Sequence, residues 1–355
     1  MKKVYSNAFS AYPASVGVKA SLDRLGVAVT QDKAEGGITH VMPLADAAVN
    51  DCVQMAAALN LPYMTEQTKL QCSDKFLMTQ LPSEYGVKTL KTVVPMSAAD
   101  LDALPDAPML VKKRRTYTKV DAFSFSYKVF PNRAALLAEL GEAFWAYQEN
   151  PDLVTGEYVA QEAGDAGDYA ALKVVHFAIN GQSQALRVRN TDVRYLPGNS
   201  DIFDAFGHDD FTDIEGQMSA IERVVAGLGI KNALMSVQFV KKGADWYLMD
   251  WNFRPGMFMF MVTAIKRPDI FDEYMAHMLD IAHLPVARND VMYYRKVSAA
   301  LTDEVAAAIT ACGLAVLPSD QMAAGPALYV YDVGATKQEL LDKFDTLEAT
   351  LNAPA

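Results

Sequence analysis

The most chemically loaded stretch of this 355-residue chain covers residues 234–256. Two apolar, alternating runs flank a turn containing Gly243, a pattern that predicts a β-hairpin. Side chains alternate across a strand, so Asp250, Asn252 and Arg254 share one face. A turn centred on Ala244 sets Gln238 directly opposite Asp250, with Cβ atoms roughly 5 Å apart. The patch then presents three oxygen-bearing side chains and a guanidinium. Carboxylate and amide oxygens suit a hard cation such as Mg2+, and an adjacent Arg suits phosphate. Together they would hold a metal–nucleotide. Asp250 and Asn252 alone would pass for polar residues at a strand end. Gln238 opposite and Arg254 following favour ligands.

Other charged groups leave two readings open. Lys112, Lys113, Arg114 and Arg115 follow a buried strand, and would serve as a phosphate lid or as a solvated patch. Arg187 and Arg189 alternate onto one strand face. They would bind a substrate carboxylate bidentately or pair with Asp165, Asp168 or Asp192. Asp74-Lys75 reads as a helix N-terminus with an exposed pair, neither of them catalytic. His40 and His176 sit in apolar strand runs as core residues, His208 lies in a loop that would approach substrate, and His277 and His283 are scattered. The methionine-rich run over residues 257–261 reads as core, or as the lining of an apolar acceptor pocket. There is no obvious Ser/His/Asp or Cys/His signature, no GxxxxGK[ST] and no GxGxxG after a strand, which disfavours P-loop and Rossmann dinucleotide sites.

Whole-chain numbers narrow the class. A length of 355 residues suffices for more than one domain, and 51% apolar with 21% charged residues is ordinary globular composition. The net charge of -11 argues against a nucleic-acid partner. Cys52, Cys72 and Cys312 match neither a disulfide framework nor a zinc spacing, so a reducing, cytoplasmic setting is expected. No apolar signal core follows Met1-Lys2-Lys3, and the longest apolar run, over residues 257–265, is too short to span a bilayer.

The elements that must position the hairpin follow from periodicity and turn chemistry. Residues 16–25 fit a helix closed by Gly26, and 39–44 a buried strand. Asp46 is expected to cap a helix carrying Val49, Val53, Ala56 and Leu59. Asp74 opens another helix ending near Pro82. Strands are expected over 88–94, 108–111 and 123–130. Asn132 caps a helix with Leu136, Leu140 and Phe144, and a hinge falls near 151–156. Strands over 157–162, 170–180 and 184–189 follow, with a hairpin turn at Asn180-Gly181. Thr212 to Glu215 reads as a capping box, and Pro268 starts a further helix. From about Pro285 the pattern becomes a small αβ cap, with a second capping box at Thr336 to Glu339.

In this order the pieces resemble the ATP-grasp superfamily over roughly residues 15–285. The resemblance rests on Asp74-Lys75 with Leu81, Gly86 to Thr92, Pro108 to Lys112, Val159 to Glu162, and Gln238 with Asp250 to Arg254. It is nearest to the carboxylate–amine ligases and the carbamoyl-phosphate-synthase-like branch. The implied fold is α/β (α+β). An N-terminal Rossmann-like layer (1–73) precedes a lid subdomain (74–157), a mixed or antiparallel catalytic subdomain (158–285) and a C-terminal αβ cap (286–355). The resemblance implies ATP and Mg2+ (or Mn2+) as cofactors. Lys75, Lys112 and Arg115 would contact phosphates, and Gln161, Glu162 and Ala163 would form the hinge against adenine. Gln238, Asp250 and Asn252 would hold metal, and Arg254 would meet the transferring phosphoryl group or acyl phosphate. Arg187 and Arg189 would assist at the substrate. The expected partners are a small carboxylate and an amine, such as amino acids or short peptides, with no nucleic acid and no membrane. A homodimer is the commonest closed assembly. Two departures stand out. The metal motif reads Asp250-Trp251-Asn252 where the family has Glu-x-Asn, and the loop over 113–119 lacks glycine. They keep open a non-catalytic ATP- or ADP-binding module; a small-molecule kinase on the same fold is a third reading.

Overall fold

The computed structural model describes residues 2–6, 14–115, 127–149, 156–163, 172–190, 204–205, 212–255, 267–286, 291–297, 301–316, 328–334 and 336–352. The N-terminal layer holds β1 (Lys3–Tyr5), α1 (Ala14–Arg24), β2 (Ala28–Thr30), β3 (His40–Val41), α2 (Asp46–Ala58) and α3 (Glu66–Ser73). Its three parallel strands run in the order β2-β1-β3. Strand β3 is shorter than the expected run because Pro43 has no N–H to continue a ladder. Asp46 does not cap α2. The cap position is Ala45, which makes no side-chain cap bond, and Asp46 is the first helical residue. The helix expected at Asp74 is one 3-10 turn, Leu77–Gln80. The Asp74 carboxylate accepts from the N–H groups of Phe76 and Leu77 and so caps it.

The second unit is a four-stranded antiparallel sheet with a helix. It comprises β4 (Thr92–Val93), β5 (Met109–Lys113), β6 (Tyr127–Phe130), α4 (Arg133–Gln148) and β7 (Tyr158–Glu162), in the order β4-β7-β5-β6. Asn132 caps α4 as expected, accepting from Ala135 N–H. Strand β7, expected to open the catalytic subdomain, lies between β4 and β5. The buried Gln148 amide at the end of α4 bonds both backbone polar groups of Tyr158, which fixes β7 there. Met109, Val111, Phe130, Phe144 and Tyr158 anchor this unit's own apolar core.

The third unit carries β8 (Leu172–Ile179), β9 (Ser183–Asn190), β10 (Asp204–Ala205), α5 (Glu215–Gly227), β11 (Ala233–Lys242), β12 (Asp245–Asn252) and α6 (Pro268–Met278). Its five strands are antiparallel in the order β10-β9-β8-β11-β12. The β8–β9 turn falls at Asn180-Gly181, with Gly181 at φ +116°. The expected capping box at Thr212 does not form. A 3-10 turn covers Thr212–Ile214, and the Asp213 carboxylate is taken by Lys173 and by the Trp246 indole N–H. One face of the sheet shares a single core with the N-terminal layer, in which Tyr5, Val41 and Val49 join Val175, Val237 and Trp251. The last unit is β13 (Val291–Val297), α7 (Asp303–Ala311), β14 (Ala315–Val316), β15 (Leu328–Gly334) and α8 (Lys337–Leu351), with sheet order β13-β15-β14. Thr336 caps α8 by accepting from Glu339 N–H.

Five expectations fall outside the described residues: the loop over 116–119, the hinge over 151–155, the His208 loop, the run over 257–261, and the Arg187 and Arg189 side chains. Backbone register sets Arg187 opposite Val175 and Arg189 opposite Lys173. No helix among the described residues is long and apolar enough to cross a membrane.

Candidate active site

The β11–β12 hairpin reaches the expected Gln238–Asp250 pairing by an unexpected route. Its turn is Gly243-Ala244, flanked by the Lys242–Asp245 pair, with Gly243 in the left-handed region at φ +59°. That two-residue turn alone would shift every pair by one. A β-bulge between Gln238 and Phe239 restores the register: Phe239 faces Leu248, Gln238 faces Asp250, and Met249 has no residue opposite it. The bulge decides which way the site points. Trp246 and Leu248 enter the shared core, and so do Trp251 and Phe253, three residues on rather than two. A regular strand would put Asp250 and Asn252 on the Trp246–Leu248 face, inside that core. With the bulge they project from the opposite face. Reading the apolar positions Trp246, Leu248, Trp251 and Phe253 as a broken two-residue period would have revealed it in the sequence.

The extra residue also receives a lysine. Alternation along β5 sends Met109 and Val111 into the lid core and Lys112 toward the other sheet. There the buried Lys112 Nζ donates to the Met249 carbonyl at 2.8 Å. Burial, with Lys75 close by, pushes this ammonium down to about 7, and Asp250 only partly offsets that.

Lys75 is the larger correction. The Asp74-Lys75 pair was expected to be exposed, yet Asp74 is 0% and Lys75 4% exposed. Asp74 accepts from Arg114 Nε at 2.8 Å and from Arg115 Nε at 2.7 Å, and Lys75 N–H donates to the Arg114 carbonyl. This knot ties the end of β5 to the segment after α3 and aims Lys75 inward. Its Nζ lies 3.3 Å from Asp250 Oδ1. Apart from that ion pair the ammonium has no hydrogen bond. Burial favours the neutral form of Asp250, but Lys75 and Lys112 outweigh it and hold the carboxyl below its ordinary value. Arg115, expected at the phosphates, is bound to Asp74.

Asn252 Nδ2 donates to Asp250 Oδ2 at 3.1 Å. Register continues a polar row from Asn252 through Ser236 to His176. Burial, reinforced by the Arg254 charge, drives the His176 imidazole down to about 3, so it is neutral near pH 7. Arg254 donates through Nε and Nη2 to the two Asp46 oxygens, each at 2.9 Å. The Asp46 carboxylate thus serves Arg254, just past β12, instead of its own helix. No local pattern announces a partner 208 positions away.

At the expected hinge, the Gln161 side chain is fully buried and donates to Thr92 Oγ1 within the lid sheet. Glu162 Oε1 accepts from Lys91 N–H, and Oε2 pairs with Lys242 at 3.0 Å. The N–H groups of Glu162 and Ala163 donate to the carbonyls of Lys91 and Pro108. The N–H groups of Glu162 and Ala163 are therefore already engaged. Leu90, Val174, Val240 and Met249 form a small apolar cluster.

The residues fit a magnesium–polyphosphate. A buried ammonium lacking a hydrogen bond suits phosphate oxygens. A carboxylate with neighbouring amides suits a hard ion that draws its remaining ligands from phosphate. Among the described residues no three His, Cys, Asp or Glu side chains gather as a metal cluster.

No family model matches the chain, and no curated protein matches it in sequence. Its fold is well represented among solved structures. N5-carboxyaminoimidazole ribonucleotide synthetase from Thermus thermophilus aligns with TM-score 0.69 at 10% identity, covering 100% of this chain and 99% of that one. L-amino acid ligase from Bacillus licheniformis aligns with TM-score 0.67 at 14% identity, covering 98% and 96%. N5-carboxyaminoimidazole synthase from Aspergillus clavatus, in complex with ADP and 5-aminoimidazole ribonucleotide, aligns with TM-score 0.65 at 12% identity over 98% of each chain. Two antiparallel sheets facing each other beside a parallel N-terminal layer give this chain the ATP-grasp fold.

Proposed function

We propose that the chain is an ATP- and Mg2+-dependent ligase that joins a small carboxylate to an amine through an acyl phosphate, releasing ADP and phosphate. The observation that carries the reading is the convergence of Lys75 and Lys112 on Asp250, from the lid side onto the catalytic strand. The structural neighbours support it, since solved structures of this fold include amino acid and ribonucleotide ligases.

In this reading Lys75 and Lys112 bind the phosphates, while Asp250, Asn252 and Gln238 hold the ion, Mg2+ or Mn2+. A bound divalent ion supplies charge neutralisation across the phosphate oxygens. Carbonyls of Glu162 and Ala163 and the Leu90–Met249 cluster suit a purine. Arg254, held by Asp46, meets the transferring phosphoryl group, and Arg187 and Arg189 take the substrate carboxylate. The chain's work is positioning and electrostatic stabilisation, which needs no side-chain nucleophile. Amino acids or short peptides are the substrate class, and buried free Cys52 and Cys72 support a reducing, cytoplasmic setting.

The test is ADP release across a panel of carboxylate–amine pairs, for the parent and Asp250→Ala. Release that needs both substrates and falls at least 100-fold in the variant is expected. Release untouched by Asp250→Ala would sink the assignment. The glycine-free segment over 113–119 supports a second reading, a nucleotide-binding module without turnover. It predicts ATP binding with no ADP release from any pair. A stable phosphorylated product formed without amine would point instead to a kinase on this fold.

A further inference from the structure

Resting on the ATP reading, we propose that Lys75 is a built-in substitute for one divalent cation. The site grips polyphosphate on fixed ammonium charge and admits a single metal ion per chain, and that ion only in company with the phosphates.

The argument is one of charge and occupancy. Among the described residues the pocket holds one acidic group open to a metal, Asp250, because Asp46 is spent on Arg254. Both Asp250 oxygens already have nitrogen partners: Oδ1 the Lys75 ammonium at 3.3 Å, Oδ2 the Asn252 amide at 3.1 Å. The residue opposite Asp250 is Gln238, a neutral amide where a second carboxylate would have completed an acidic pair. Lys75 already balances the Asp250 charge, and Lys112 lies at the same point, so the pocket carries no surplus negative charge. A divalent ion arriving alone would meet one occupied carboxylate and a buried ammonium beside it. A cluster of like charges repels further cations, and a Mg2+ site made by protein alone needs more than one carboxylate. A polyphosphate meets the reverse situation. The buried Lys75 ammonium has the long Asp250 ion pair at 3.3 Å and no hydrogen bond, so a phosphate oxygen would supply the partner its N–H groups lack. Bound phosphate then offers the oxygens and negative charge that let one ion join at Asp250.

The experiment counts Mn2+ by electron paramagnetic resonance, with and without the non-hydrolysable ATP analogue AMP-PNP. It is run on the parent, Lys75→Met and Gln238→Glu, each checked for cooperative melting. The parent is expected to bind no Mn2+ at millimolar concentration alone and one per chain with AMP-PNP. It should still bind AMP-PNP when metal is chelated. Gln238→Glu should bind Mn2+ without nucleotide or take a second ion with it. Lys75→Met should lose metal-free AMP-PNP binding by at least tenfold. Should Lys75→Met fail to fold, Gln238→Glu carries the test by itself. Two Mn2+ per parent chain with AMP-PNP, or Mn2+ bound by the parent alone, would overturn this inference and leave the ligase reading standing. AMP-PNP binding to the parent under no condition would overturn both.

Discussion

Asp74 shows how much one carboxylate can organise. It is fully buried, it caps the turn after α3, and it receives one guanidinium nitrogen from each of Arg114 and Arg115. Removing it takes a buried carboxylate from two arginines that are 14% and 22% exposed. Asp74→Ala should therefore cost roughly 3 kcal/mol, the low end for a broken buried pair, measured by urea unfolding. The pH dependence has a definite sign. Burial raises the Asp74 carboxyl, but the two arginines and the Leu77 N–H outweigh it and leave it lowered in the folded state. Its stabilisation is fully present above the ordinary carboxylate value of about 3.9 and is lost as pH falls through the lower folded value. Asp74→Asn should be less stable near pH 7 and lose less stability below about pH 4. Equal acid slopes in parent and variant would refute this. Asp250, Asn252 and Arg254 were legible in the sequence because strand alternation alone groups them. Lys75 was named only through the family resemblance; read from its own neighbours it passed for an exposed residue, since its burial is produced by contacts with β5 and β12 that no local pattern encodes.

At the level of elements, the bulge at Met249 separates a site from a buried error. Deleting Met249 would remove the extra residue and leave Trp246, Leu248, Trp251 and Phe253 in one unbroken two-residue period, with Asp250 and Asn252 still on the opposite face. The deletion should still fold cooperatively but lose the bulge carbonyl that receives Lys112, whereas Met249→Leu keeps it and should cost under about 1.5 kcal/mol. Circular dichroism melts of the two variants check these outcomes, and a deletion variant without a cooperative melt would discredit Met249 as the extra residue. The hairpin and its key pair could be read from Gly243 and the alternating runs. The turn length and the bulge compensated each other, so the pairing came out right while the route did not. Strand β7 was read as a strand but assigned to the neighbouring unit. Pairing between β5 and β7 joins segments some fifty residues apart, for example Val111 with Ala160, and alternation alone does not choose a partner.

For the whole molecule, the distribution of apolar cores sets what can move. The lid has its own core, and so has the C-terminal cap, whereas the N-terminal layer and the catalytic sheet are fused in one. The side-chain ties from the lid unit to the body described above are polar: Lys112 to Met249, Arg114 and Arg115 to Asp74, and Glu162 to Lys242. Polar contacts can be exchanged for contacts to ligand or water without opening an apolar core, so the lid should move as a unit over the site. Hydrogen exchange should slow in β5 and β7 when ATP and Mg2+ are added, with little change in α7 and α8. A ligand at about a hundred times its dissociation constant adds ~2.7 kcal/mol to stability, visible as a rise in melting temperature. Uniform protection across lid and cap would contradict a moving lid.

The fused core also dictates an order of synthesis. Tyr5 and Val49 leave the ribosome early, but the surface they pack against includes Val237, Trp251 and Phe253. The N-terminal layer must wait, half-covered, until some two hundred further residues have been made. The lid, whose core lies between Leu101 and Ala160, is synthesised during that wait and has everything it needs to settle first. The nascent chain is thus built from the middle outward, and its first-made strands are among the last to find shelter.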